Sequence, residues 1–245
     1  MTYRGLGQRA ITPQRRGRFP GFDVLASVDT WDDVTAGVVL ARLALPGELA
    51  FFTPHEVAVA APLVDLLLNQ DDDPRVPVLA LIDQRLAVGE TDGWHYDDLP
   101  EDGQAWRDTL AALDRDARDR HAGRGFAYLI SNEQAVLIQG VQDAANGSGK
   151  WRELSATHVW SLWTRYACTA YYCHPWAWNE IGFPGPAYPR GYLNPGINAR
   201  EHWEIVDRHS EDSDVDPVSF ADRVERSRHE HAGLFEHNGV NLDGL

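Results

Sequence analysis

The residues best suited to metal or acid–base chemistry are ten histidines and the carboxylates near them. His174 and Glu180 flank a tryptophan-rich stretch and could meet in one site, with His202 as a third ligand. The sequence has no HExxH motif and no CxxC pair, which are the spacings that usually mark zinc sites. His229 and His231 lie in a charged terminal stretch, where solvated side chains are expected. A stand-alone metal-dependent enzyme that uses His174 and Glu180 is therefore an alternative, while a structural role for both residues is favoured.

Motifs for nucleotide binding and nucleophilic catalysis are also absent from the sequence. It has no GxGxxG, Walker A or GxSxG pattern to place a phosphate or an activated serine at a helix start. Cys168 and Cys173 lie five residues apart, so on a helix they would point to different faces. Neither a disulfide nor a metal pair is indicated, and this suits a reducing, cytoplasmic setting. The sequence therefore predicts no catalytic, cofactor-binding or metal-binding residue in this chain.

The most unusual stretch of the chain runs from Tyr171 to Tyr192 and is called here the aromatic segment. Its 22 residues include seven aromatic residues, four prolines and three glycines. Because each proline removes a backbone donor and fixes φ, this composition predicts an ordered but irregular loop. So many rings are expected to be buried against this protein or against a partner. Three uses are open: a sugar-stacking platform formed by Trp176 and Trp178, packing within the chain, or contact with a partner anchored by Arg190.

The composition is that of an acidic chain with ordinary hydrophobicity. The 245 residues are 43% hydrophobic and carry a formal net charge of −15, which disfavours a nucleic-acid partner. No apolar run of about 18 residues occurs, so no membrane span is predicted. No apolar stretch follows the Arg15–Arg16 pair, so an export signal is not predicted and a cytoplasmic location is expected. The predicted organisation is a basic arm at 1–22, a helical domain at 23–206, and an acidic linker, short helix and tail at 207–245.

Helical periodicity recurs through the middle of the chain. Thr53-Pro54-His55-Glu56 combines an N-cap threonine, proline at the first helical position and glutamate at the third, which is a capping box. A second capping box is predicted at Ser131 and Gln134. The stretch from Val34 to Leu45 could form a strand pair or a short helix. The prediction is an all-α single domain of about five to seven helices, the main ones at 54–69, 76–87, 101–120, 131–144 and 154–172, with a last helix at 218–231.

Three stretches of the chain are similar to one known family. The longest is Tyr171-Tyr172-Cys173-His174-Pro175, Trp178-Asn179-Glu180-Ile181-Gly182-Phe183 and Tyr188-Pro189-Arg190-Gly191-Tyr192 within the aromatic segment. It resembles the C-terminal signature of the gluconate 2-dehydrogenase subunit 3 family. Phe51–Glu56 and Ile82–Leu86 resemble that family's first helices. Its members are helical small subunits of FAD-dependent sugar and polyol dehydrogenases, which agrees with the helical pattern of this sequence.

The resemblance implies an accessory, non-catalytic role. In this family the large subunit, of the glucose-methanol-choline (GMC) type, holds the FAD and the catalytic base, and the small subunit binds and stabilises it. We therefore expect this chain to bind no cofactor and to form a heterodimer or larger complex with such a subunit. The sequence does not specify the sugar or the electron acceptor. The residues expected at the interface are Tyr171, His174, Pro175, Trp178, Asn179, Glu180, Phe183, Tyr188, Arg190 and Tyr192.

Overall fold

The computed structural model describes residue 19 and residues 22–44, 47–71, 73–193, 195–197 and 199–205. All of them lie in the first of two compact units, Met1–Ile205, and the second unit is Val206–Leu245. Most of the predicted basic arm lies outside the described residues, as do the predicted linker, the helix at 218–231 and the tail. The division of the chain into three parts therefore stays a prediction.

The described residues are predominantly helical, and the predicted all-α fold is confirmed. The strands among them, β1 (Lys150–Trp151) and β2 (Leu154–Ser155), form a two-residue antiparallel pair. None of the helices in this part of the chain has the length and apolar character needed to cross a membrane. The α-helices are α1 (Asp33–Ala41), α2 (Pro54–Leu68), α3 (Val78–Ala87), α4 (Asp102–Arg120), α5 (Ser131–Asn146), α6 (Ala156–Tyr172) and α7 (Pro175–Ile181), and 3₁₀ helices lie at Val24–Thr30 and Phe126–Tyr128.

The first of the two predicted capping boxes is confirmed. The Oγ1 atom of Thr53 accepts a hydrogen bond from the Glu56 N–H at 3.3 Å, and the Glu56 carboxylate accepts one from the Thr53 N–H at 2.7 Å. The second box is wrong by one residue, because Glu133 rather than Gln134 reaches back, to the N–H of Ile130 at 3.2 Å. Gln134 is buried and donates instead to the Phe126 carbonyl at 3.0 Å.

The helix α1 settles the open assignment of residues 34–45 in favour of a short helix. Asp32 precedes it as the N-cap, and its Oδ1 atom accepts from the Thr35 N–H at 2.9 Å. This local bond satisfies a donor that has no partner within the first helical turn. The valine-rich sequence is compatible with either structure, so the cap and the packing described below favour the helix.

Helices α2 and α6 form the centre of the domain. Each packs against α3, α4 and α5 and against the other, and α6 also contacts α7. The main hydrophobic cluster lies between them, and in it Trp106, Trp163 and Tyr166 are almost completely buried. The rings of Trp106 and Tyr166 meet edge to face with 5.9 Å between centroids, an arrangement that aromatic pairs favour. The Nε1 of Trp163 donates to Thr109 Oγ1 at 3.0 Å, so burial does not leave this donor unsatisfied.

A buried carboxylate fixes the path of the chain into α2. Asp83 of α3 accepts hydrogen bonds from the backbone N–H groups of Ala50 at 2.7 Å, Phe51 at 3.0 Å and Phe52 at 2.8 Å. These three donors precede the helix and have no helical acceptor, so the carboxylate supplies one. Phe52 belongs to the main hydrophobic cluster. Asp83 therefore connects α3 to the start of α2 and holds a core aromatic residue in place.

We expect Asp83→Ala to lower the free energy of unfolding by about 2–4 kcal/mol, because it leaves three backbone donors without a charged acceptor. Urea denaturation followed by circular dichroism measures this change. Gln84→Ala is the matched control, since Gln84 is its exposed neighbour on α3; it should change the free energy by less than about 0.5 kcal/mol. A loss below about 1 kcal/mol for Asp83→Ala would contradict the assigned role.

Candidate functional site

The aromatic segment is partly helical. Its prolines predicted an irregular loop throughout, and that prediction is wrong for Pro175–Ile181, which form α7. Pro175 is the first helical residue, a position that needs no backbone donor. Gly182 ends the helix in the left-handed region at φ 68°, and the Phe183 N–H donates to the Trp178 carbonyl at 3.0 Å. The other three prolines lie beyond this point, so they do not interrupt the helix.

His174 serves as the N-cap of α7. Its Nδ1 atom accepts a hydrogen bond from the Trp176 N–H at 3.3 Å. Burial, reinforced by the positive charge of Arg42, lowers the pKa of His174 to about 4, so the ring is neutral at pH 7. Within the described residues, no group of three or more His, Cys, Asp or Glu side chains is arranged to hold a metal ion. The alternative metal site of His174, Glu180 and His202 is therefore not formed in this part of the chain.

One side of α7 is covered by residues Phe22–Ala44, called here the strap. Val24, Trp31 and Val39 of the strap pack with Trp178 of α7 in a second hydrophobic cluster, separate from the main one. The Val24 N–H donates to the Oδ1 atom of Asn179 at 2.8 Å in a buried hydrogen bond. The strap is thus the main contact of α7 on the side away from the main cluster, and it was the part of the domain that the sequence left unassigned.

Two longer side chains also fasten the strap to the aromatic segment. The Nε1 of Trp31 donates to the Pro186 carbonyl at 3.1 Å, beyond the end of α7. The guanidinium of Arg42 donates to the Cys173 carbonyl at 2.9 Å, ahead of α7, and lies 5.6 Å from the Trp178 ring centroid. These contacts hold the segment on both sides of the short helix.

Two glycines of the aromatic segment receive aromatic rings from the N-terminal region. Gly182 and Gly185 have φ values of 68° and 80°, a region that residues with a Cβ atom rarely adopt. A Cβ atom on Gly182 would lie 2.6 Å from the ring of Phe19, and one on Gly185 would lie 2.4 Å from the ring of Trp31. Both positions therefore require glycine for the backbone conformation and for the close approach of a ring.

Arg190 fixes the irregular part of the aromatic segment from within. The sequence suggested it as an anchor for a partner, but its Nη2 donates to the carbonyls of Pro184 at 3.0 Å and Pro186 at 2.7 Å. The guanidinium also lies 4.2 Å from the ring centroid of Trp203, within cation–π range. Burial lowers the pKa of Arg190, although a guanidinium remains charged at pH 7. Arg190 thus holds a chain of carbonyls together rather than extending into solvent.

The residues predicted at the interface divide into a buried group and an exposed group. Leu193 and Ile197, which the prediction did not include, are also exposed apolar residues nearby in the sequence. Their only signal in the sequence is an apolar side chain among turn residues, which is too common to be specific. The buried members are Tyr171, His174, Pro175, Trp178, Asn179 and Glu180, Arg190 is half-buried, and the exposed members are Phe183, Tyr188 and Tyr192.

The suggested sugar platform of Trp176 and Trp178 does not present two open ring faces. Trp178 is buried, and its Nε1 donates to the Tyr172 carbonyl at 2.7 Å. Trp176 is half-buried against the main cluster, with its ring 4.8 Å from that of His174 in an edge arrangement. Stacking on a sugar needs an accessible face, so nothing in this geometry favours the platform.

A charged network that the sequence did not indicate lies between α3, α4 and α6. The Asp92 carboxylate bonds both Arg85 and Arg165, and Arg165 also donates to Asp102 at 3.2 Å. The Tyr166 hydroxyl donates to Asp102 at 2.6 Å. Burial raises the pKa of Tyr166, and the bond to Asp102 raises it further, so the phenol stays protonated and is no general base. The network borders a 440 Å³ groove between α3 and α6, lined among others by Leu81, Arg85, Val88, Tyr166 and Cys173.

We expect Gly185→Ala to loosen the strap, because its Cβ atom would overlap the Trp31 ring as well as strain the backbone. The free energy that keeps the strap closed should fall by about 2–3 kcal/mol. Gly191→Ala is the matched control, since Gly191 has φ 69° but open space around it. This substitution should lower the stability of the segment by only about 1 kcal/mol, the cost of the backbone conformation alone. The rate of trypsin cleavage after Arg42 measures opening of the strap. Equal effects of the two substitutions would contradict the ring contact.

A second prediction concerns the pH dependence of stability. The pKa of His174 is about 4 in the folded protein and about 6.5 in an unfolded chain, so between these pH values the unfolded state binds more protons. The contribution of neutral His174 to the free energy of unfolding is therefore fully present above about pH 6.5. This contribution falls by up to about 3 kcal/mol as the pH drops towards 4. His174→Asn keeps a capping side chain without this titration, so its unfolding free energy should fall less between pH 7 and pH 4. His202→Asn, at an exposed site, should parallel the wild type; a parallel curve for His174→Asn would refute the prediction.

Comparison with known proteins adds one finding to this geometry. A model of the family described as gluconate 2-dehydrogenase subunit 3 matches residues 54–185, from the first residue of α2 to Gly185 in the aromatic segment. The match includes α7 and leaves out the strap. Searches of curated proteins and of solved structures gave no match. Since the family model covers more than half of the sequence, this chain belongs to the gluconate 2-dehydrogenase subunit 3 family.

Proposed function

We propose that this chain is a non-catalytic accessory subunit that binds and stabilises the large subunit of an FAD-dependent sugar or polyol oxidoreductase. The family to which it belongs is named for one subunit of a dehydrogenase, which implies a multi-subunit complex. The observation that carries the proposal is the exposed, aromatic half of a segment whose other half is buried. Phe183, Tyr188 and Tyr192 face solvent next to a helix that is fastened on both sides.

The exposed half of the aromatic segment has the properties of a preorganised docking surface. Arg190, the Trp31 hydrogen bond and the rings packed against Gly182 and Gly185 restrict its backbone before any partner binds. Little conformational entropy would then be lost on binding, and this favours affinity. Exposed tyrosine and phenylalanine side chains are also typical energetic anchors of protein interfaces.

In this proposal the six buried members of the predicted interface position the docking surface and do not touch the partner. His174 caps α7, and Asn179 bonds the strap, so both determine where the segment after Gly182 begins. The FAD and the catalytic base would belong to a large subunit of the GMC type. If this chain binds the folded form of the large subunit and not its unfolded form, it stabilises the folded large subunit by mass action. A cytoplasmic location stays a prediction from the sequence.

Co-expression with a GMC-type flavoprotein from the same genome tests the proposal. We expect the two chains to purify together at one to one, with flavin absorbance in the complex and none in this chain alone. The large subunit should also melt at a higher temperature in the complex. Bound flavin or dehydrogenase activity in this chain alone, or failure of the two chains to associate, would overturn the proposed role.

We expect Tyr188→Ala and Tyr192→Ala each to weaken the complex by about 1–3 kcal/mol, because each removes a large ring from the docking surface. Both side chains are 65% exposed, so the fold should not change. Tyr128→Ala is the matched control, since Tyr128 is 78% exposed on a 3₁₀ helix outside the segment. Affinity measured by biolayer interferometry with the flavoprotein distinguishes them; unchanged affinity for both segment variants would place the contact elsewhere.

A further inference from the structure

The strap helix α1 is apolar on both its inner and its outer side. Its inner side places Val39 in the cluster with Trp178, and Val39 is almost completely buried. Its outer side carries Val34, 74% exposed, and Val38, 54% exposed, which lie one turn apart. Exposed apolar side chains that lie together on a rigid element often mark an interaction surface, and Val34 and Val38 form such a pair beside the polar Asp33.

The outer side of α1 is held rigidly on the aromatic segment. The Asp32 cap fixes the start of the helix, and the bond from Arg42 to the Cys173 carbonyl fixes the residue after its end. Between them, Val39 packs into the cluster that contains Trp178. Phe183 of the docking surface touches the same ring, with 5.2 Å between the Trp178 and Phe183 centroids. The strap and the docking surface thus share Trp178 as a common support.

Among the described residues, the charges around α1 favour a protein partner over a membrane. Asp29, Asp32 and Asp33 precede or begin the helix, and Arg42 behind it is engaged with the segment. Anionic lipid surfaces attract clusters of basic residues, and an acidic helix start would be repelled. The nine-residue helix is about 14 Å long, too short to supply the roughly 800 Å² per partner of a standard interface by itself. It must therefore act as one part of a larger interface.

We infer that the outer side of α1, formed by Val34 and Val38, is a second docking element for the same oxidoreductase subunit that binds the aromatic segment. This inference rests on the proposed function. The strap lies outside the residues 54–185 that match the family, so it adds a contact to the matched region. The aromatic segment lies largely within the family match, whereas the strap does not. A contact from the strap would therefore help this chain to select one large subunit over others, since specificity is a difference between affinities.

The test compares two double variants of the full-length protein in binding to the GMC-type flavoprotein that co-purifies with the wild-type chain. Val34→Ser with Val38→Ser removes the apolar outer side, and the dissociation constant should rise about tenfold or more. Val88→Ser with Val136→Ser is the matched control. Val88 is 72% exposed at the end of α3, and Val136 is 66% exposed on α5. The affinity of this control variant should equal that of the wild type. Equal melting temperatures of the free proteins confirm that both variants fold.

Each other outcome overturns the inference. Wild-type affinity of the strap variant shows that α1 is not in the interface, while the proposed function still stands. Self-association of the wild-type chain in analytical ultracentrifugation, lost in the strap variant, assigns the surface to a second copy. Binding of the wild-type chain to phosphatidylcholine and phosphatidylglycerol vesicles, lost in the strap variant, assigns it to a membrane. Failure of the wild-type chain to bind the flavoprotein removes the proposed function and the inference with it.

Discussion

The rings of Phe19 and Trp31 pack against Gly182 and Gly185, and the path of the exposed half of the aromatic segment depends on this contact. Each ring occupies the space that a Cβ atom would need, and each glycine has a left-handed backbone. Close packing gains dispersion energy only when both surfaces fit, so neither element can move far without loss of contact. These contacts join Phe19 and the strap to the aromatic segment and give the chain after α7 a defined path.

Helix α7 shows why such support is needed. It has seven residues, and helices this short are not stable in water without tertiary packing. The helix is held by the main cluster through α6, by the strap through Trp178, and by its own cap, His174. A neutral histidine suits this position because a charged ring would be costly to bury beside Arg42.

The interior of the domain combines large aromatic rings with two carboxylates that are matched by hydrogen-bond donors. Asp83 bonds three backbone N–H groups, and Asp102 bonds Tyr166 and Arg165. Buried carboxylates stabilise a fold only when their oxygens are matched by donors. In both cases the carboxylate connects separate helices, so these groups specify how the helices are arranged around α2 and α6. The result is a packed helical support for the irregular part of the aromatic segment.

The sequence by itself determined the helical class of the domain and the approximate limits of its main helices. These features follow from local rules, namely the Thr53–Glu56 cap and the apolar spacing along α2 and α4. The family resemblance also rested on contiguous residues, and the family match confirms it. The position of the aromatic segment could be predicted from the sequence, but the helix α7 within it could not. A count of prolines does not distinguish Pro175 at a helix start from prolines in a loop.

Only the tertiary structure decided which rings of the segment are buried and which face solvent. The deciding contacts join residues 155 positions apart, such as Val24 with Asn179 and Trp31 with Pro186. Residues 22–44 carry no periodic pattern strong enough to predict their place, and their role arises from shape complementarity with glycines in another element. Burial is a property of the assembled surfaces rather than of a local sequence window, and this is why the strap could not be recognised before the fold was known.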